Sequence, residues 1–259
     1  MMPGIDRERL GFSVGLGGAH SSRTIMFDEL QALFEYVPVS APRSEYVRAI
    51  RESNCLAKRS GKTRSLTLRH LTDLYGLDPG IPVFEGLRYF WQRDIEARAQ
   101  LALLAALSRD ALLQLVAPQI TEIPESSVVT RDQVEKMIWR DNPDRFSPAT
   151  LRSTAQNINS SMTKSGHLSG RVKKVRARPV LSPGAVAYAL FLSWLEGARG
   201  EFLFKSVYCK VLAAPEATLM DLATQAASRG WLVFRRIGEV VEVRFPDLGS
   251  IEQEAPTNE

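Results

Sequence analysis

The sequence predicts a mainly α fold: a helical N-terminal domain followed by a winged helix-turn-helix C-terminal domain with small β-hairpins. Three observations predict it. Apolar residues recur at helical spacing through most of the chain. Nothing shows the alternating Val/Ile pattern of a parallel sheet, which removes a Rossmann reading. Residues 147–178, SPATLRSTAQNINSSMTKSGHLSGRVKKVRAR, read as a helix, a turn and a basic strand, with seven basic residues (Arg152, Lys164, Arg171, Lys173, Lys174, Arg176, Arg178) and no Asp or Glu.

Taken in order, residues 1–20 read as a flexible arm, because GLGGAH at 15–20 has no preceding strand and no GxGxxG spacing. A helix is expected from Ser21 or Ser22, with Met26, Leu30 and Phe34 on one face. Pro38 and Pro42 punctuate its end. A second helix begins near Ser44, with Tyr46, Ile50 and Leu56 as apolar contacts. The run KRSGKTRSLTLRHL at 58–71 follows. Ser60-Gly61-Lys62-Thr63 resembles the end of a phosphate loop, but the glycine required five positions before Gly61 is Leu56, and the preceding segment is helical. The run opens a helix with Leu66, His70, Leu71 and Leu74 on its apolar face. Its Lys58, Arg59, Lys62 and Arg64 form a candidate phosphate-contacting patch at that helix N-terminus.

Core helices are expected over 82–94 (Phe84, Leu87, Phe90, Trp91), 95–107 (Leu101, Leu104, Leu107) and 110–115. The Pro- and Ser-bearing stretch 117–129 reads as a linker. The expected organisation is an arm at 1–20, a helical domain at 21–117, a winged-helix-like domain at 130–246 and an acidic disordered tail at 247–259. Thr130 caps a helix over 131–140, and DNPDRF makes a turn. Ser147 and Pro148 then start a long helix at its cap and first position. On it Leu151, Ala155, Ile158 and Met162 form a docking stripe. Arg152, Gln156, Asn159 and Thr163 form a polar stripe beside it, of types that read guanine and adenine in the major groove. Gly166 and Gly170 end the helix. Residues 171–181 form a wing whose basic side chains lie along a nucleic-acid backbone, and His167 is a polar loop residue in the turn. Helices at 183–198, 201–212 and 219–228 follow. A hairpin at 231–245 carries Glu239 and Glu242, so it reads as structural or as a protein contact.

Charge points the same way. The formal net charge is +4, but the last 13 residues hold four acids (Asp247, Glu252, Glu254, Glu259) and no base, so the rest carries +8. Clustered basic residues favour a polyanionic partner. Cys55 and Cys209 are far apart, which argues against a disulfide framework and a zinc site. His20, His70 and His167 lack zinc spacing, GxSxG is absent, and no PD…ExK carboxylate set is found. No catalytic residue, metal or cofactor is therefore expected. A Ser–His–Asp triad stays open, since its members need not be neighbours in sequence. No apolar run approaches a membrane span and the N-terminus is not a signal peptide, so a cytoplasmic protein is expected.

The chain resembles the BrxA family of bacteriophage exclusion (BREX) defence systems over roughly residues 20–245. The resemblance rests on Asn54-Cys55-Leu56 leading into Lys58-Arg59-Ser60-Gly61-Lys62-Thr63-Arg64, on the Leu-rich helices through 101–115, and on Phe146-Ser147-Pro148-Ala149-Thr150-Leu151 followed by Gly166-His167-Leu168. It implies a small, mostly helical, DNA-binding accessory protein working beside a methyltransferase, a phosphatase-like protein and an ATPase. The expected partner is double-stranded DNA. The candidate contacts are Arg152, Gln156, Asn159, Thr163, Lys164, Arg171, Lys173, Lys174, Arg176 and Arg178, with Lys58, Arg59, Lys62 and Arg64 as a second patch. A protein-interaction scaffold and a transcriptional regulator are the alternatives. RNA binding is disfavoured because the sequence offers no evident exposed aromatic platform.

Overall fold

The computed structural model describes residues 6–248 except Val14, Leu16, Gly17, Val39, Asn142, Asp144 and Glu239. Most of the expected acidic tail, from residue 249 on, lies outside the described residues, as do residues 1–5 of the expected arm and Glu239 of the second hairpin.

The protein is mainly α. Helices α1 (Arg7–Leu10), α2 (Phe27–Tyr36), α3 (Arg43–Arg51), α4 (Gly61–Tyr75), α5 (Pro82–Arg93), α6 (Arg98–Arg109) and α7 (Ala111–Glu122) form the first half. Then come α8 (Arg131–Asp141), α9 (Pro148–Lys164), β1 (Leu168–Ser169) and β2 (Val175–Arg176). The chain closes with α10 (Pro183–Leu195), α11 (Val207–Val211), α12 (Glu216–Ser228), β3 (Val233–Ile237) and β4 (Val240–Arg244). Two 3₁₀ turns lie at Ala19–Ser21 and Gly200–Leu203. Among the described residues no helix is long and apolar enough to cross a membrane.

Local chemistry sets the boundaries. Ser60, Asp110, Ser147 and Ser206 each accept a backbone N–H of the helix they precede, and Pro82, Pro148 and Pro183 occupy first-turn positions. The Ser206 cap breaks the helix expected over 201–212 into a 3₁₀ turn and the short α11. The first long helix begins at Phe27 rather than Ser21, because Ser21 and Ser22 turn their hydroxyls back on Gly18 O and Ala19 O.

One expectation about organisation is corrected. Residues 117–122 of the expected linker are the last turns of α7, with Ala117 and Ile120 buried. Every residue of α10 is buried, and α10 packs on α5 and α6 as well as on α11 and α12. One set of buried apolar residues runs from Phe12 to Leu248, across the expected boundary near 117–130.

The described part of the arm is also packed. Phe12 is buried, Ser13 N–H donates to Ser108 O, and the Arg109 guanidinium donates to Gly11 O. His20 is fully buried. Its Nδ1 lies 2.8 Å from Asp110 Oδ2 and its Nε2 lies 2.9 Å from Ser161 Oγ. Asn157 Nδ2 donates to His20 O at 2.9 Å, and Ile25 N–H donates to Ser161 Oγ at 3.0 Å. The segment is a strap that ties the start of α7 to α9. Burial pushes the Asp110 carboxyl pKa up, but the His20 charge and hydrogen bonds from His20 and Leu113 outweigh it and hold it below the usual value.

The first small sheet pairs Leu168 with Arg176 and Ser169 with Val175, antiparallel. Residues 126–129 add on the other side of β2: Val128 bridges Val175, Val129 N–H donates to Lys174 O, and Arg176 N–H donates to Ser127 O. The second sheet is the expected hairpin, with Val233 opposite Arg244 and Ile237 opposite Val240.

His167 lies in the turn after α9, as expected. It is fully buried, with Nδ1 2.9 Å from Ser165 Oγ and Nε2 2.8 Å from Val211 O. Burial is the main reason its pKa falls to about 4, with the Arg176 charge adding to it. Two outcomes follow. In His20→Ala the Asp110 carboxylate stays buried without its partner, and urea unfolding should show a loss of about 3 kcal/mol. His167 folds neutral, so the unfolded chain binds the extra proton between its ordinary pKa of 6.5 and the folded value near 4. Its contribution is complete above pH 6.5 and is lost as pH falls toward 4, by about 3 kcal/mol in all. His167→Gln should flatten that part of the stability–pH curve.

Candidate nucleic-acid interface

Helix α9 presents three kinds of surface. Ala155, Ile158 and Met162 are fully buried and Leu151 is half-buried, as the docking stripe requires, and α9 packs chiefly on α8. The strap covers a flank, so Thr154 and Ser161 are buried too. The exposed line is Arg152, Gln156, Ser160 and Lys164, at steps of four residues.

The expected polar stripe is therefore corrected in its second half. Asn159 is buried, and its Oδ1 has no hydrogen-bond partner. Thr163 is half-buried and donates its hydroxyl to Asn159 O at 2.7 Å. Ser160 takes the outward position that Asn159 was expected to hold. Lys164 is exposed, but it pairs with Asp28 at 2.6 Å and lies over the Phe27 ring.

The wing is shorter than expected. Gly170 sits at φ +87°, and a Cβ there would come within 2.2 Å of Lys173 O, so only glycine closes this turn. Arg171 and Lys173 are exposed at the tip and make no ion pair among the described residues. Lys174 is half-buried and donates to Gly170 O at 2.8 Å. Arg178 is exposed and paired with Glu125.

Arg176 is a further correction: it is only 3% exposed. Its guanidinium donates to His167 O, Ala177 O and Thr121 O. β2 lies between 126–129 and β1, which turns this side chain inward onto the end of α7. Burial lowers its pKa against the opposing charge of Glu125.

In the N-terminal patch Arg59 and Lys62 are exposed and unpaired among the described residues. Lys58 is spent internally: it is half-buried, pairs with Glu29 at 3.0 Å, and its N–H is held by Asn54. Arg64 is half-buried with its Nε unpartnered. The 3₁₀ turn at Ala19–Ser21 packs on both α4 and α9 and so links this patch to the second half. At that seam lie Arg23 and Arg69, close enough that both positive charges add to the burial that lowers the His70 pKa. Sequence reading missed Arg23 as well as Lys136 and Arg140, which are exposed on α8. Arg69 and the basic run around it were the available signal at the seam. Lys136 and Arg140 could have been found from their four-residue spacing.

Of the fourteen candidates, Arg59, Lys62, Arg152, Gln156, Arg171 and Lys173 remain exposed with no ion pair among the described residues. The arrangement can hold an extended polyanion and can present Arg, Gln and Ser side chains to base edges.

Asp110, His20 and Ser161 have the connectivity of a hydrolase triad. Ser161 Oγ, however, is fully buried and already bonded to Ile25 N–H and Asn157 O. The geometry assigns the three to packing. Among the described residues no cluster of three or more metal-ligating side chains is formed. No protein-family model matches this sequence, and no curated protein matches it.

The distinction between buried and free cations is directly measurable. Arg176→Ala should lower the unfolding midpoint, because Thr121 O and His167 O lose their donor, at about 2 kcal/mol. Arg171→Ala should leave the midpoint within about 0.5 kcal/mol of the parent.

Proposed function

We propose that this chain is a non-enzymatic, double-stranded DNA-binding protein of the winged helix-turn-helix type. The observation that carries the reading is one stretch of chain without acids, 147–178, in which Arg152, Gln156 and Ser160 lie in line on α9 and a hairpin tip follows with exposed Arg171 and Lys173, unpaired among the described residues. The element order supports it. α7, the strand at 126–129, α8, α9, β1 and β2 follow one another, and the sheet order is 126–129, β2, β1. This order supports the winged-helix reading, in which α9 would serve as the recognition helix.

In this reading Arg171 and Lys173 hold phosphates on one side of α9, and Arg59 and Lys62 hold phosphates beyond the strap. Phosphate contacts position the protein, and Arg152, Gln156 and Ser160 supply limited base readout. The resemblance to the BrxA family supports a role as a cytoplasmic accessory protein in phage defence, beside a methyltransferase, a phosphatase-like protein and an ATPase. A second reading, a protein-interaction scaffold, is favoured by one feature: Ile237 and Val240 face each other at the tip of the β3–β4 hairpin, 82% and 72% exposed.

Salt titration of a gel shift is the test. Four phosphate contacts, from Arg59, Lys62, Arg171 and Lys173, give a slope of about −3.6 in log affinity against log salt. Replacing Arg59 and Lys62 with Ala should bring the slope to about −1.8. A flat dependence, or full binding by a variant with Arg171→Glu and Lys173→Glu, would sink the proposal.

A further inference from the structure

The sequence holds four tryptophans. Three are covered. Trp91 and Trp194 are nearly buried and Trp231 is half-buried. Each of the three has an arginine stacked on it: Arg98 at 5.3 Å, Arg199 at 4.8 Å and Arg229 at 4.9 Å from the ring centroid. Trp139 is different. It is 54% exposed on α8 and carries no stacked cation or ring among the described residues.

Lys136 neighbours both Trp139, at i+3, and Arg140, at i+4, so it joins the two into one exposed arc of α8, while Val134 and Ile138 turn inward to the core. Both cations are exposed and unpaired among the described residues. The nearby acids Asp132 and Glu135 are engaged by Arg131 at 3.4 and 2.8 Å, and Asp141 is an exposed acid beside Arg140. An open indole beside two cations unpaired among the described residues matches the two parts of a nucleotide: a flat base that stacks and a phosphate next to it.

A protein partner fits less well. Tryptophans that anchor protein interfaces sit within apolar surroundings that exclude water, and this one sits among charges. An intact duplex fits poorly too, because its base faces are stacked on one another. An unpaired base offers the missing face. α8 directly precedes α9 in the chain and packs on it.

We propose that the Lys136–Trp139–Arg140 face of α8 binds an unpaired DNA nucleotide, stacking its base on the indole and holding the flanking phosphates on the two cations. The protein then prefers a duplex that continues into a single strand. The proposal rests on the duplex reading for the α9 site alone.

The experiment compares one duplex in blunt form, with a six-thymidine extension on either strand, and a free oligothymidine. Stacking one base favours the extended duplex about tenfold. Trp139→Ala should erase that preference and leave blunt-duplex affinity and thermal unfolding unchanged. Trp139→Phe should keep most of it. Tryptophan emission should be quenched by oligothymidine in the parent protein and not in Trp139→Ala. Equal affinity for blunt and extended duplexes in the parent overturns the proposal, as does a preference that survives Trp139→Ala. Equal affinity with Trp139 shielded from acrylamide by a co-purifying protein assigns the face to a protein partner instead. Failure of the duplex reading shows separately, as loss of blunt-duplex binding, and the oligothymidine arm then decides this inference by itself.

Discussion

The contact among Asp110, His20 and Ser161 is the constraint on which the rest of the structure depends. Asp110 does two jobs: it caps α7 through Leu112 and Leu113 N–H, and it receives His20 from the strap. Ser161 does two more, receiving His20 and the Ile25 N–H on α9. A segment near the start of the chain thereby fixes the angle at which α7 and α9 meet. It also decides which surface of α9 remains open. Without the strap, Thr154 and Ser161 would face solvent, and the outward line of the helix would be broader and less defined.

Charge in this protein is divided between architecture and surface. Four arginines close the ends of four helices. Arg98 donates to Trp91 O of α5, Arg109 to Asp73 O of α4, Arg176 to Thr121 O of α7 and Arg199 to Trp194 O of α10. The last carbonyls of a helix have no partner within it and carry the negative end of its dipole, so a guanidinium satisfies both needs. These cations count fully toward a basic composition and contribute little to a partner's binding. Arg59, Lys62, Arg171 and Lys173, exposed and without an ion pair among the described residues, lie at a helix start and a hairpin tip, where long side chains reach outward.

The helices were legible because their determinants are local. Ser60, Ser147 and Pro148 mark helix starts in the sequence and do so in the structure. The period of Leu151, Ala155, Ile158 and Met162 identified the inward face of α9, and the β3–β4 hairpin lies within the 231–245 stretch read as a hairpin. What failed was non-local. Nothing near Asn157 or Ser161 says that residues 20–25 will cover their flank, and nothing in the spacing of Asn159 says that it will be buried. Nothing in the spacing of Lys173, Lys174, Arg176 and Arg178 says that one of them will meet Thr121 from the end of a distant helix. Lys58 was likewise indistinguishable from Arg59 until Glu29 was brought beside it. Helical period fixes direction around one axis. It does not say which neighbours arrive from elsewhere.

The complete burial of α10 has a consequence for how such a chain can change over time. A helix with no outward face has no position at which substitution is cheap, and its neighbours come from both halves of the sequence. Neither half can be exchanged by recombination as a ready-made module, because either would part with the helix that fills it. Variation is channelled to outward helix faces, turns and hairpin tips, where the exposed cations and the exposed tryptophan lie. Such a molecule can acquire new binding preferences readily while its architecture stays fixed.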